Sequence, residues 1–283
     1  MNKLFYLSDD EVQSQLAAKC DLLVHVGMET FQYAVIDAVR DRVKVLAEFD
    51  ISELNSTNDR INAIESLPEA TKLFKYSFNK IKVSFDTFNY TFIPSALFLD
   101  KDESEYGKFV KPEENSQLLI NYIRSADIKN ISAMDFELNA AVNRIFHNPR
   151  IFNQATSFVE GIKKIVNGDP GPSLFIDVQR IHIQIGMVKN AELIFYNIFD
   201  CISADEFNYY LLNVIEQLNI DTTQIQLCLS GIISEGDETY RRIQKYFNHI
   251  AFTDTRRVVK YAEKLEQVIP HTYFSLISLD LCE

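Results

Sequence analysis

Between residues 181 and 187, Ile181, Ile183, Ile185 and Met187 alternate with His182, Gln184 and Gly186. A period of two puts every apolar side chain on one face of an extended strand, whereas a helix would need a repeat near 3.6. This stretch is therefore committed to a sheet, and its neighbours define the unit around it. Residues 174–178 read as a preceding strand and 191–199, after Lys189 and Asn190, as a following one. Ser203 and Glu206 have the spacing of a capping box, in which each side chain satisfies an orphan N–H of the first helical turn. Phe207, Tyr210, Leu211, Val214, Ile215 and Leu218 then give one apolar helical face, with Tyr209 off it, and 224–229 returns to a strand. The order is β-β-β-α-β. Further helices are expected over 237–250, with Tyr240, Ile243, Phe247 and Ile250 inward, and over 255–268.

The same order is legible in the first half. Ser8 and Glu11 form another capping-box pattern, predicting a short leading helix that carries Val12 and Leu16. Strands follow at 22–26, at 31–35 with Phe31, Tyr33 and Val35 alternating, and at 43–47 after the turn at 40–42. A helix over 59–67 carries Ile61, Ile64 and Leu67, and 80–85 closes the unit as a strand. Leu22-Leu23-Val24-His25-Val26-Gly27 overlays Leu174-Phe175-Ile176-Asp177-Val178-Gln179, which reads as one duplicated unit. Two unrelated meanders would show the same alternation, so the overlay sets the topology of each half more firmly than a shared origin.

The break at Asp169, Pro170, Gly171 and Pro172 sets the expected boundary, giving lobes 1–171 and 172–283. Within the first, about 100–170 reads as an inserted subdomain. It comprises a charged, solvent-exposed stretch at 100–115, strands at 118–123 and 130–133, and helical segments at 138–145 and 152–166. The 283 residues, 47% hydrophobic and 24% charged, suffice for a substantial core without staples.

The formal net charge of −12 disfavours a surface that tracks phosphate backbones, so nucleic acid is not the expected partner. Cys20, Cys201, Cys228 and Cys282 are scattered, without the spacing that lets neighbouring thiolates share zinc, and are expected as reduced thiols. No stretch reaches the roughly 20 apolar residues of a spanning helix, and residues 1–10 lack the apolar region of a secretory signal. The expected compartment is the cytoplasm, with no membrane span.

A duplicated β-β-β-α-β unit is similar to the actin, heat-shock-70 and hexokinase superfamily, whose lobes are ribonuclease-H-like. The cell-division actin homologue and the pilus-assembly protein of bacteria share those lobes. Within it, Thr91-Phe92-Ile93-Pro94-Ser95-Ala96-Leu97-Phe98 and the terminal Tyr273-Phe274-Ser275-Leu276-Ile277-Ser278-Leu279 to Cys282-Glu283 resemble an uncharacterised domain family of Bacteroidetes. The resemblance covers nearly the whole chain and implies an α/β, actin-like ATPase fold of two duplicated lobes with a small insertion in the first. It implies no reaction.

Active members of that superfamily open each copy with Asp-x-Gly. The Asp orients hydrated metal or attacking water, and the Gly lets backbone N–H groups approach phosphate. Here the first copy reads His25-Val26-Gly27 and the second Asp177-Val178-Gln179, so each keeps half of the motif. Arg180, next in line, could fill the phosphate pocket or hold an anionic ligand. The adenosine-binding pair of glycines corresponds to Ser230-Gly231, of which Gly231 also reads as an ordinary strand-to-helix turn. The candidate nucleotide cleft therefore comprises Gly27, Thr30, Asp177, Gln179, Arg180, Ser230 and Gly231, with ATP and magnesium as the cofactors it would hold.

Two other constellations merit a place. His25, His182 and Asp177 could form a metal-like trio if both histidines reach the cleft, although histidines at strand ends more often make structural hydrogen bonds. Asp177 with Glu192 or Asp200 could hold the metals of a ribonuclease-H-like nuclease. No Gly-x-Ser-x-Gly elbow, Walker loop or Rossmann glycine run is present, and the 21 Phe and 13 Tyr fall mainly on inward stripes. The leading expectation is a degenerate, non-catalytic actin-like protein that binds another protein through its cleft or its insertion. The alternative is a divergent nucleotide-dependent enzyme or switch.

Overall fold

The computed structural model describes residues 1–9, 12–54, 56–99, 103–110, 115–167 and 171–283. The chain opens with strand β1 (Asn2–Ser8) and a single helical turn, α1 (Ser14–Ala17). It continues through β2 (Cys20–Val26), β3 (Thr30–Asp37), β4 (Arg42–Asp50), α2 (Thr57–Glu65), α3 (Pro68–Thr71) and β5 (Lys80–Phe85). The β2–β3 and β3–β4 pairs are antiparallel while β2–β5 is parallel, as a meander followed by a helical crossover requires. Ser56 caps α2 by accepting from the N–H of Asp59.

The sequence did not distinguish β1, whose side chains are mostly exposed along the edge of the sheet where it pairs with β4. Ser8 ends this strand, and Glu11, the other half of the expected capping box, lies outside the described residues. Gln13 precedes α1 in the cap position.

Strand β6 (Tyr90–Pro94), α4 (Glu103–Tyr106), β7 (Ser116–Ile123) and β8 (Ile128–Asp135) come next. The three strands form a separate sheet in the order β6-β8-β7, so the inserted layer begins near 90. After α5 (Phe136–Ile145), β9 (Arg150–Asn153) rejoins the first sheet in parallel beside β5, giving the order β1-β4-β3-β2-β5-β9. The expected boundary falls partly on Asp169 and Pro170, which lie outside the described residues, as does part of the charged stretch at 100–115.

The second unit repeats the first unit's pattern with β10 (Ser173–Val178), β11 (His182–Lys189), β12 (Glu192–Asp200), α7 (Ala204–Gln217) and β13 (Gln226–Gly231). The β10–β11 and β11–β12 pairs are antiparallel and β10–β13 is parallel. Both halves of the Ser203–Glu206 capping box form. Tyr209 is exposed while Tyr210 packs beside the core.

Two helical expectations fail beyond this point. Only α8 (Glu238–Ile243) is helical within 237–250, because β14 (His249–Phe252) adds in parallel to β13. Residues 255–268 form 3₁₀ turns around β15 (Lys260–Tyr261), which pairs with β4 of the first sheet, and Ala262 N–H donates to Val43 O at 3.0 Å. A two-residue strand joined to a distant partner leaves no local period to read. From here to α9 (Phe274–Ser278) and Cys282, the chain packs on Leu23, Ala34, Ile36 and Leu46. The C-terminal segment, grouped by sequence with 172–283, thus covers one face of the first sheet.

Between the two sheets lies α6 (Gln154–Ile165), with every residue from Gln154 to Ile162 buried. Phe158 and Ile162 meet Phe175 and Val188 of the second sheet and Phe274 of the C-terminal segment in one cluster. A helix enclosed on all sides must satisfy its polar side chains internally. Gln154 Nε2 donates to Thr87 O at 2.8 Å, Ser157 Oγ to Gln154 O at 3.0 Å, and Glu160 accepts from Ser125 N–H at 3.3 Å.

Two glycines allow the close approach: a Cβ at Gly161 would lie 2.2 Å from Ser278 Oγ, and one at Gly186 2.8 Å from Ile162 Cδ1. Gly161→Ala is expected to lower stability by about 1–3 kcal/mol through overpacking. Urea denaturation measures this, and an unchanged midpoint would show that the C-terminal segment shifts freely.

Candidate functional site

The C-terminal ends of the parallel strands β2 and β5 in one sheet face those of β10 and β13 in the other. This is the position at which open α/β sheets hold ligands. Each candidate from the sequence falls here or at the rim.

Asp177, fully buried, accepts from Ser230 Oγ and from Gln179 Nε2, both at 2.7 Å. Gln184 Nε2 stands 3.4 Å away, held from its other end by Tyr196 OH, which donates to Gln184 Oε1 at 2.8 Å. Burial drives the Asp177 carboxyl above its ordinary value of 3.8, against the hydrogen bonds of Gln179 and Ser230. Arg180 turns away from Asp177 and bridges the lobes, 2.8 Å from Asp50 at the end of β4.

The glycines have local reasons to be there. Gly27 N–H donates to Thr30 O at 2.8 Å, closing the β2–β3 turn, and a Cβ would sit 2.8 Å from that same oxygen. Gly231 has φ +84°, and a Cβ there would fall 2.0 Å from Val178 O. Such a position excludes L side chains whether or not a ligand binds.

Asp86, immediately after β5, went unrecognised in the sequence. Its carboxylate lies 3.4 Å from His25 Nε2 and 4.0 Å from His182 Nε2, and it accepts from Met28 N–H at 3.3 Å. The two histidines do converge, but on Asp86. His25 Nδ1 pairs with Ser84 Oγ at 2.9 Å, whereas His182 Nδ1 is buried with no hydrogen-bond partner.

Burial alone would lower the His25 pKa, but the charge and hydrogen bond of Asp86 outweigh it, and the net direction is up from 6.5. For Asp86 burial pushes up, and the charge and hydrogen bond of His25, followed by His182, bring the net direction below 3.8. Both shifts describe a buried ion pair on the first lobe's side of the joint. A signal was available, since a lone acid directly following a strand that runs parallel to β2 falls at the ligand end of the sheet.

The nuclease constellation does not assemble. Glu192 and Asp200 sit at opposite, exposed ends of β12, and among the described residues no group of three or more His, Cys, Asp or Glu is placed to hold a metal ion.

Little space remains in the cleft. Two cavities of about 20 and 10 Å³ lie between His25, Asp86, Gln179 and His182, the second also walled by Gln184, Tyr273 and Ser275. Each holds about one water.

With this geometry in view, the comparisons fix the class. Residues 9–250 match DUF3822, described as a protein of unknown function, and the chain belongs to this family. A Bacteroides thetaiotaomicron protein with an actin-like ATPase fold and unknown function superposes with TM-score 0.79. It is 18% identical, over 97% of this chain and 100% of that one. A chain of the PilM-PilN type IV pilus biogenesis complex gives TM-score 0.66 at 10% identity, over 92% and 97%. The ethanolamine utilization protein EutJ from Carboxydothermus hydrogenoformans gives 0.51 at 9%, over 94% and 89%. The fold is that of the actin-like ATPases. No curated protein matches, and among the described residues no helix is long and apolar enough to cross a membrane.

Removing one partner of the His25–Asp86 pair is expected to cost about 3–5 kcal/mol, because it leaves a buried group unpaired. The raised His25 pKa contributes stability that is full below 6.5 and lost as pH rises through the higher folded value. The lowered Asp86 pKa contributes stability that is full above 3.8 and lost as pH falls through the lower folded value. Urea midpoints of wild type and His25→Gln should therefore differ most between these limits and converge outside them. A gap that ignores pH would refute the ion pair.

Proposed function

We propose that this is a non-catalytic, cytoplasmic actin-like protein that acts by binding another protein, and that its two lobes descend from one duplicated unit. The observation that carries the reading is the state of the loop amides. Phosphate binding in this fold needs free N–H groups in an open cleft. Gly27 N–H is spent on Thr30 O, Gln179 N–H on His182 O at 2.9 Å, and Ile232 N–H on Val178 O at 2.8 Å. Met28 N–H is taken by Asp86, an anion of the protein's own. The two cavities left between His25, Asp86, Gln179 and His182 are far below the several hundred Å³ of an ordinary ligand site. A fold relative working in the PilM-PilN complex lends the partner-binding side a precedent.

Calorimetric titration with ATP and magnesium is expected to give neither binding heat nor phosphate release. Micromolar binding with turnover would overturn the proposal. So would an ATP-induced rise in melting temperature that Asp177→Ala or Arg180→Ala abolishes, since those residues would then cradle phosphate.

A further inference from the structure

Outside the closed cleft, a second cavity of about 200 Å³ opens at the carboxyl ends of β10 and β13, beside the start of α7. Its floor is apolar and buried, formed by Ile183, Phe207 and Ile233. Two aliphatic side chains stand in solvent at its mouth, Ile202 at 70% exposure and Ile232 at 46%. Ile202 follows Cys201 and Ile232 follows Gly231, each just past a strand end, and neither belongs to the core cluster below. An apolar floor with an aliphatic rim is the anatomy of a pocket that seats a side chain from a partner.

The charge around it states which partner. Segments 200–206 and 232–239, which flank the pocket, carry six acidic residues and no Lys or Arg. Asp200, Asp205, Glu235, Asp237 and Glu238 are all exposed. Arg180, which lines the pocket, is paired with Asp50, and Arg242 pairs with two of these acids, Asp205 and Glu238, so the flanking segments stay net negative. Complementarity therefore favours a positively charged occupant.

We infer that this pocket docks a basic polypeptide segment of the partner, seating one large apolar side chain between Ile202 and Ile232 with Lys or Arg on either side. This rests on the protein-binding reading and names the site and chemistry of that contact. The pocket shares Gln179 and Arg180 with the rim of the interlobe joint and opens on its second-lobe side.

The test uses the full chain labelled at isoleucine δ1 methyls, since Ile183, Ile202, Ile232 and Ile233 all line the pocket. Three short peptides are titrated: leucine flanked by lysines, serine flanked by lysines, and leucine flanked by glutamates. The leucine–lysine peptide is expected to shift these four methyls and leave Ile61, in the core of the first lobe, unmoved. Replacing leucine by serine, or introducing the surface changes Ile202→Ser and Ile232→Ser together, should weaken binding by about tenfold or more. The glutamate peptide should not bind, and added salt should weaken the lysine peptide.

Equal response to all three peptides, shifts confined to other methyls, or no shift at all would overturn the site. A parallel titration with ATP and magnesium separates the two claims. Turnover there defeats the protein-binding reading, whereas silence there together with a failed peptide titration defeats this pocket alone.

Discussion

A helix buried over its first nine residues, Gln154 to Ile162, organises this protein. Because α6 is enclosed from Gln154 to Ile162, both sheets and the C-terminal segment must be in place before its surface is removed from water. Its polar side chains then have to be matched by Thr87, Ser125 and its own backbone, since an unmatched buried polar group costs about 1–3 kcal/mol. The two lobes are consequently held through one shared core as well as across a cleft, and Gly161 and Gly186 mark where that core leaves no room for a Cβ.

The cleft inherits this closeness. Asp86 lies in the cleft flanked by His25 of its own lobe and His182 of the other, while Gln179 and Ser230 hold Asp177 in place within the second lobe. Arg180 and Asp50 fasten the rim. Their ion pair is partly exposed and adds little stability by itself, and the buried His25–Asp86 pair braces the first lobe's side of the joint while the His182–Asp86 contact crosses it.

The strands at 22–26, 31–35, 43–47, 80–85, 174–178, 181–187 and 191–199 were legible from short apolar runs or period-two alternation bounded by turns, and α7 because a capping box and an apolar stripe coincide. The strands β1, β6, β9, β14 and β15 were not, since each is short, lies at an edge, or is defined by a partner distant in sequence. At the cleft, Gly27, Asp177 and Gln179 were singled out by overlaying the halves, Arg180 as the next residue and Ser230 through the superfamily resemblance. Asp86 belongs to no motif, and only the crossing of β5 beside β2 brings it to His25.

By itself the amino-acid order determined two β-β-β-α-β units, written largely in local periodicity, and their order carried the resemblance to the actin-like fold. The tertiary structure alone decided that the C-terminal segment returns to the first sheet and that the cleft is shut by a His–Asp–His contact. Each of these depends on surfaces meeting across long stretches of chain, and pairings of that kind leave no trace in the spacing of neighbouring residues.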